Sequence, residues 1–564
     1  MNEGVSPGRV ARWFETTARP GALLLVVVAA LYAPSLGDGF MIDDHRALRV
    51  LEEYRAGQRS APDVYRFLMG DVERNRAERE AGWYPWWMAD ELKYQHMRPL
   101  AEWMLYAEYR VFGARPIGYR LVSLGLYGLG VVLVLRLMRV VCAEERTARL
   151  AGLVFAVAAS HAIPVMFVSS QGDVAALVCA VGGALAAEGF LRRGGAARLA
   201  GFLLFFSAGL GLKEAMLPVA AAPLLMWLLR RGDGAAGRRA LAATALSAAV
   251  SGAWLALYVA GGYGSNTSIM LDPLRDPAGY LSAGPGRALA LLAAWVAPLN
   301  PFLFECKTGF QAYERMYLAA GAVVLTPIAV MLWRRHRRAR GAAAMALWTA
   351  MFLPILVCTP ADDRVMMLPS VGLAYFAAVW IAHPAGARRY RRIPLLLFVG
   401  VQATTVLAAG RLLAFLERES QRHLAMMTAD GGEHLYVVNN PFAFEGLFMM
   451  DRLRSMPEWR HARVSLLSDA LAPTVSWRGE RVLRLEAGDP PILSGFLGRM
   501  GAVRGRPRAA GDTQRGDGFT ARIVEADARG VRAVEFVFDR PVRAGEMRFY
   551  TVDAHASPHR IEPE

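Results

Sequence analysis

The sequence predicts a mainly α-helical polytopic membrane bundle followed by a small soluble domain, α+β or β-rich. Three observations carry that expectation. Of the 564 residues, 54% are hydrophobic, and the mean hydropathy is +0.26. Long runs with few charges recur between residues 21 and 410. A helix of about 20 such residues crosses the hydrocarbon core and satisfies its own backbone groups there. Finally, the basic residues gather in short loops between the runs, at 192–193, 230–231, 238–239, 334–340 and 388–392. Loops of that kind stay on the cytoplasmic side. The formal charge of +15 therefore reports orientation, and a nucleic-acid groove is excluded.

The elements follow in order. The first apolar run, about 21–36, is preceded by Arg9, Arg12 and Arg19, which hold its start in the cytoplasm. Its length, with no sharply polar cleavage region after it, predicts a retained anchor rather than a cleaved signal. A polar stretch, 38–115, then forms a large loop on the far side. Further spans are expected at about 117–138, 149–167, 173–191, 198–212, 214–230 and 240–261. The apolar run 286–304 carries Pro298, Asn300 and Pro301. It is read as surface-lying or re-entrant, because a full crossing would place the basic run 334–340 outside. Spans at about 315–333, 342–358, 366–382 and 393–414 complete a set of about eleven.

This topology puts the C-terminal part on the same side as Asp43. A membrane domain, 1–417, and a soluble domain, 418–564, are expected. Strand-like runs appear at 435–438, 464–467, 482–485, 533–538 and 546–552. The last two, separated by 540–545, predict a hairpin. The Gly/Arg/Pro-rich stretch 500–518 predicts a mobile loop. Cys142, Cys179, Cys306 and Cys358 match no metal spacing. Cys179, inside an apolar run, is expected to be a small buried residue. Cys306 and Cys358 both approach the outer face, but a disulfide between them is not expected.

On this topology the outer face collects Asp43, Asp44 and His45, the aromatic run Trp83-Tyr84-Pro85-Trp86-Trp87, Arg98, His161, Asp173, Lys213, Glu214, the loop 262–284, and Asp362, Asp363 and Arg364. Any one of these, taken alone, reads as a helix-end anchor, since long cations snorkel by default. The aromatic run reads as an interfacial belt on an amphipathic surface helix. One-sidedness makes the set informative. The inner loops carry mostly Arg, with Glu144 and Glu145 the main acids, whereas the outer ones mix acids, His and bases. Two adjacent carboxylates raise one pKa towards the range of a general base. Fixed cations stabilise a departing phosphate, and Arg98, Lys213 and Arg364 are the candidates. Lys213 stands first, because an ammonium between two closely joined helices is costly without a partner. Asp43 and Asp44 lack an evident third ligand, so neither a metal nor another cofactor is expected.

The same residues carry a resemblance. The chain resembles the GT-C glycosyltransferases that use polyprenyl-phosphate sugars, especially the protein O-mannosyltransferases and bacterial relatives of the transmembrane-and-TPR mannosyltransferases. Five short blocks in order support it. They are Phe40-Met-Ile-Asp-Asp-His45; Arg98-Pro99-Leu100 with Phe112-Gly113 and Pro116-Ile-Gly-Tyr-Arg-Leu-Val-Ser123; residues 161–168, opening on His161, with Gly172-Asp173; Leu212-Lys213-Glu214 with Pro218; and Asp363-Arg364-Val-Met-Met-Leu-Pro-Ser-Val-Gly372. The chain departs from relatives at Arg120, Ser123, Ile163 and Gln171, so the donor sugar does not follow from the likeness. The TPR repeats are absent.

The resemblance implies a bacterial inner-membrane enzyme with its C-terminal domain in the periplasm. Its donor would be a polyprenyl-phosphate-linked sugar, and its acceptor a protein, glycan or lipid hydroxyl. Asp43 would act as general base in an inverting attack, Asp44 would orient or tune it, and Arg98, Lys213 and Arg364 would hold the donor phosphate. Two rival classes share the hydropathy profile. A flippase or transporter of lipid-linked saccharide is disfavoured because no duplicated halves are evident. A non-catalytic scaffold would leave Asp43 replaceable.

Overall fold

Five helical segments are long and apolar enough to cross a membrane: Pro20–Gly37, Pro116–Val141, Val168–Arg193, Gly234–Ala260 and Leu395–Thr428. A sixth is the pair Glu145–Ala156 and Ala159–Met166, bent by 50° at its break. Pro164 lies in the second half of that pair and cannot donate a backbone hydrogen bond to the preceding turn. Four shorter apolar helices accompany them: Ala196–Leu212, Glu214–Leu228, Arg340–Leu356 and Ser370–Ala382. The computed structural model describes residues 20–230, 233–297, 318, 319, 322, 326, 340–382, 393–429, 434–440, 449–456, 461–542, 547–553 and 557–562. The expected span 315–333, Cys306, the run 388–392, most of 334–340 and part of 286–304 fall largely or wholly outside those residues. Among the described residues there are up to six long spans and four shorter apolar helices, which leaves the expected count of about eleven unconfirmed.

The helices that position the candidate residues are α1 (Pro20–Tyr32), α2 (Asp43–Arg55), α3 (Pro99–Phe112), α4 (Pro116–Val141), α5 (Gln171–Arg193), α6 (Ala196–Leu212), α7 (Pro277–Val296) and α8 (Ile393–Ala429). The run 286–304 thus belongs, up to Val296, to a helix that starts earlier, at Pro277. Helix α8 continues unbroken past residue 417, so the expected domain boundary falls inside a helix. One apolar core joins the helices, from Leu24 and Tyr127 to Trp348 and Val406. Full burial of each large side chain contributes about 1.5–3 kcal/mol where water is the alternative.

Three short strands, β1 (Arg66–Met69), β2 (Lys93–Gln95) and β3 (Gly264–Ser265), form an antiparallel sheet in the order β1-β2-β3. Tyr94 pairs with Ser265 in it, so the sheet ties the loop 38–115 to the loop 262–284. The C-terminal part is α+β. Strands β4 (His434–Asn439), β5 (Arg463–Leu466), β6 (Thr474–Trp477), β7 (Val482–Glu486), β8 (Thr513–Arg515), β9 (Phe519–Asp527), β10 (Gly530–Phe538), β11 (Met547–Val552) and β12 (Pro558–Ile561) make two sheets. One is antiparallel, β6-β7-β10-β9-β8; the other is β12-β11-β4-β5, with β4 parallel to both neighbours.

Three expectations are corrected here. The pair 533–538 and 546–552 is not a hairpin. Both edges of β10 are taken by β7 and β9, and β11 pairs with β4 and β12 in the other sheet. The stretch 500–518 is not a free loop. Val503 bridges to Thr267, Arg508 donates to the carbonyls of Trp87 and Gly498, and Gln514 donates to that of Met88. A Cβ on Gly501 would sit 2.6 Å from the Trp87 ring, so only glycine permits that approach. The aromatic run is no interfacial belt. Tyr84, Trp86 and Trp87 are buried in a second core shared with the C-terminal sheets. There Trp86 meets Phe536 edge-on and donates Nε1–H to the Leu467 carbonyl at 2.8 Å. An indole needs such an acceptor when buried.

Candidate active site

The acidic pair opens α2, where α1 and a 3-10 turn (Ala33–Gly37) lead into the stretch 38–115. Ile42, just before it, has φ 43°, in a region where a β-branched residue is strained. Strain of that kind costs on the order of 1–3 kcal/mol and persists only where surrounding contacts over-determine it. The contacts are present. Met41 N–H donates to Asp44 Oδ2 at 3.1 Å, and Ile42 N–H donates to Glu417 Oε2 at 3.4 Å.

The two acids have opposite fates. Asp44 is 0% exposed, and its Oδ1 accepts from the Ser169 backbone N–H at 2.8 Å and hydroxyl at 2.7 Å. Burial pushes its pKa up, and these hydrogen bonds pull it back. Its acceptor capacity is spent on holding α2 against residues 168–170. Asp43 is half-buried, and among the described residues no group hydrogen-bonds its carboxylate. Desolvation pushes its pKa up to about 6, Arg364 draws it down, and Asp44 pushes it further up. A free carboxylate poised near neutrality is what a general base requires.

Arg364 and Arg46 lie within electrostatic reach of that carboxylate, and Arg98 and Lys213 lie within reach of Arg364 in turn. Arg364 stands in the 3-10 helix Asp363–Met367, with its Nε 3.0 Å from Asp362 Oδ2, and is 39% exposed. Its electrostatic partners are Asp362, Tyr94, Asp43 and Arg98. Arg98, the residue before α3, makes a two-pronged bond to Glu214 at 2.9 and 2.7 Å and lies over the Tyr65 ring. His96 Nδ1 is 2.8 Å from Glu214 Oε1. Burial holds its pKa below the ordinary histidine value. Lys213 pairs with Asp173, not with its neighbour Glu214. Arg98, Glu214, Arg364 and Asp362 nevertheless all lie within its electrostatic reach. Each cation thus carries one acid. Arg364 is the most open of the three, with Arg98 and Lys213 more enclosed.

Other candidates serve as supports. Asp363 is a buried acid beside Asp362; desolvation pushes its pKa well up, and its Oδ1 has no hydrogen-bond partner among the described residues. His45 Nε2 is 3.0 Å from Glu417 Oε1. His161 is 0% exposed, and its ring nitrogens meet Tyr127 Oη and Ser370 Oγ, both at 2.8 Å. It packs on Phe155 with 4.5 Å between ring centroids. Both of its nitrogens are consumed inside the helical core, so it offers nothing to a ligand.

Sequence reading missed Tyr94, His96, Glu417 and Asp451. Tyr94 lies in electrostatic reach of Arg364, Arg98, Asp43 and Glu214. Glu417, on α8, binds His45, the Ile42 backbone and Arg452, the last at 3.0 Å through two nitrogens. Asp451 pairs with Arg49 of α2. The C-terminal part thus grips the helix that begins at Asp43. Tyr94 and His96 flank the Arg98 block, which is a usable signal; Glu417 has none. Among the described residues, no group of three or more His, Cys, Asp or Glu side chains is placed to hold a metal ion.

No protein-family model and no curated protein matches the chain. Among solved structures, it is similar to ArnT from Cupriavidus metallidurans bound to undecaprenyl phosphate. That likeness has 15% identity and a TM-score of 0.41, and covers 79% of this chain and 90% of that one. The chain is also similar to the Archaeoglobus fulgidus oligosaccharyltransferase in the apo form, at 12% identity and a TM-score of 0.41, over 80% of this chain and 65% of that one. A third is AglB from Archaeoglobus fulgidus in complex with an inhibitory peptide and a dolichol-phosphate, at 11% identity and a TM-score of 0.42, over 80% and 64%.

Proposed function

We propose that the chain is an integral-membrane glycosyltransferase that moves a sugar from a polyprenyl-phosphate carrier to an acceptor hydroxyl, with inversion. The compartment is the periplasmic face of a bacterial inner membrane, where Asp43 and the C-terminal domain would both lie. The observation that carries the reading is the division of labour in the acidic pair. Asp44 is saturated by Ser169 and Met41, while Asp43 is unpartnered and held near pKa 6 beside the cation Arg364.

The chemistry follows from that arrangement. Asp43 accepts the proton of the acceptor O–H as the oxygen attacks the anomeric carbon. The bond from that carbon to the phosphate oxygen breaks, and its electron pair leaves with the polyprenyl phosphate. Negative charge grows on the leaving group, and a fixed cation there lowers the barrier. Arg364 is best placed for this because it is the most exposed of the three candidates and already within the field of Asp43. Arg98 and Lys213, each tied to an acid, shape the field behind it. Asp44 keeps the strained Ile42 turn in place and so aims Asp43. The acceptor is a protein, glycan or lipid hydroxyl.

The test is transfer of labelled sugar from polyprenyl phosphate in membranes carrying wild type or Asp43→Asn. Loss of transfer in the variant is expected. Unaltered transfer would remove Asp43 from its role. Movement of the sugar lipid across the bilayer without transfer would replace an enzyme by a flippase.

A further inference from the structure

A second site lies outside the Asp43 cluster and shares no residue with it. A cavity of about 290 Å3 opens between the end of α1 and the middle of α8. Leu31, Met166, Leu407 and Ala414 supply its apolar lining, and Asp38, Arg411 and Arg418 its charged lining. The helix α8 runs from Ile393 to Ala429, 37 residues, or about 55 Å at 1.5 Å per residue. A hydrocarbon core is about 30 Å thick. If Ile393 marks the inner boundary, Arg411 reaches the outer boundary and Arg418 passes just beyond it. The helical segment across the groove agrees, since the apolar run Pro20–Gly37 ends one residue before Asp38.

Charge at the mouth is unbalanced. Arg411 and Arg418 are exposed on one face of α8, and neither has an ion pair or side-chain hydrogen bond among the described residues. Asp38 is the one acid lining the cavity. It already feels Arg120 as well as Arg418. Arginine facing lipid without a partner is costly in the core and favourable beside headgroup phosphate. An apolar slot topped by two guanidinium groups, neither held in an ion pair or side-chain hydrogen bond among the described residues, fits an aliphatic chain ending in phosphate.

We propose that this groove binds a lipid with an anionic phosphate headgroup, its phosphate on Arg411 and Arg418 and its chain along Leu31, Met166 and Leu407. The site stands on residues the transfer chemistry does not use, so it holds whether or not Asp43 is a base. Its mouth is nonetheless built on segments that set Asp43. Glu417, next to Arg418, holds the Ile42 backbone, and Arg120 donates to the Gly39 carbonyl at 2.5 Å.

The experiment uses the full chain purified in detergent, with native mass spectrometry reading bound lipid during titration with phosphatidylglycerol. Phosphatidylcholine and inorganic phosphate form the comparison arms. Wild type should retain one phosphatidylglycerol, and R411Q/R418Q should weaken its binding about tenfold or more. The R411K/R418K variant should recover most of that loss. Ala414→Phe, which fills the apolar wall and keeps both arginines, should weaken binding too. D43N should bind as wild type does, which separates this site from glycosyl transfer. Equal phosphatidylglycerol binding by wild type and R411Q/R418Q would overturn the proposal. So would equal retention of phosphatidylcholine, or displacement of the lipid by inorganic phosphate alone.

Discussion

Replacing Arg364 by Gln should move the acid limb of the transfer-rate profile to higher pH. Asp43 titrates at about 6 because desolvation outweighs the pull of Arg364, the largest force opposing it. An opposite charge close to a carboxylate lowers its pKa by roughly 1–3 units. Arg364 is 39% exposed and shares its charge with Asp362, so solvent screening places the effect near the lower bound, about one unit. Removing it should move the limb from about 6 to about 7. At pH 6.5 the ionised fraction of the base would fall from about three quarters to about one quarter, roughly a threefold loss of rate. Near pH 8 the base is about nine-tenths ionised or more in both proteins. A loss that persists there measures the other proposed role of Arg364, its grip on the leaving phosphate. The assay is the initial rate of labelled-sugar transfer in membranes with matched protein content, taken from about pH 5 to 8.5. A limb that stays in place, or moves to lower pH, would refute the electrostatic coupling of Asp43 to Arg364.

Asp43→Asn should lower transfer by roughly 10²–10⁴-fold. The same variant should melt at an equal or higher temperature at pH 8. The folded pKa is raised, so the ionised carboxylate costs stability at high pH, and that cost fades as pH falls through about 6 towards the ordinary value near 4. A lower melting temperature at pH 8 would count against the desolvated setting of Asp43. Asp44→Ala strands the buried donors of Ser169 and Met41 and should destabilise by about 1–3 kcal/mol per donor left unpaired, read by thermal melting. Glu417→Gln breaks a buried pair with Arg452 and a contact to His45. A stability loss of about 3–5 kcal/mol is expected, read by thermal melting. A reporter fused after Glu564 should be active in the periplasm, and activity only in the cytoplasm would reverse the proposed orientation.

The membrane helices were legible because hydropathy is a property of consecutive residues. The expected runs 117–138, 173–191, 198–212 and 240–261 appear as Pro116–Val141, Gln171–Arg193, Ala196–Leu212 and Gly234–Ala260. The position of the acidic pair just after the first apolar segment was legible for the same reason. Its division of labour was not. Asp43 and Asp44 look alike in sequence, and the difference is made by Ser169, 125 residues away, which saturates one and not the other. Lys213 is bound by Asp173 instead of its sequence neighbour Glu214, which turns to Arg98 and His96. The strands β10 and β11 alternate as a hairpin would, yet each finds a closer partner in its own sheet. Alternation specifies a strand and its buried face but not its neighbour. Local chemistry thus decided which segments are apolar enough to cross a bilayer. Packing alone decided which carboxylate stays free, because pairing and desolvation depend on groups that only the folded chain brings within a few ångströms.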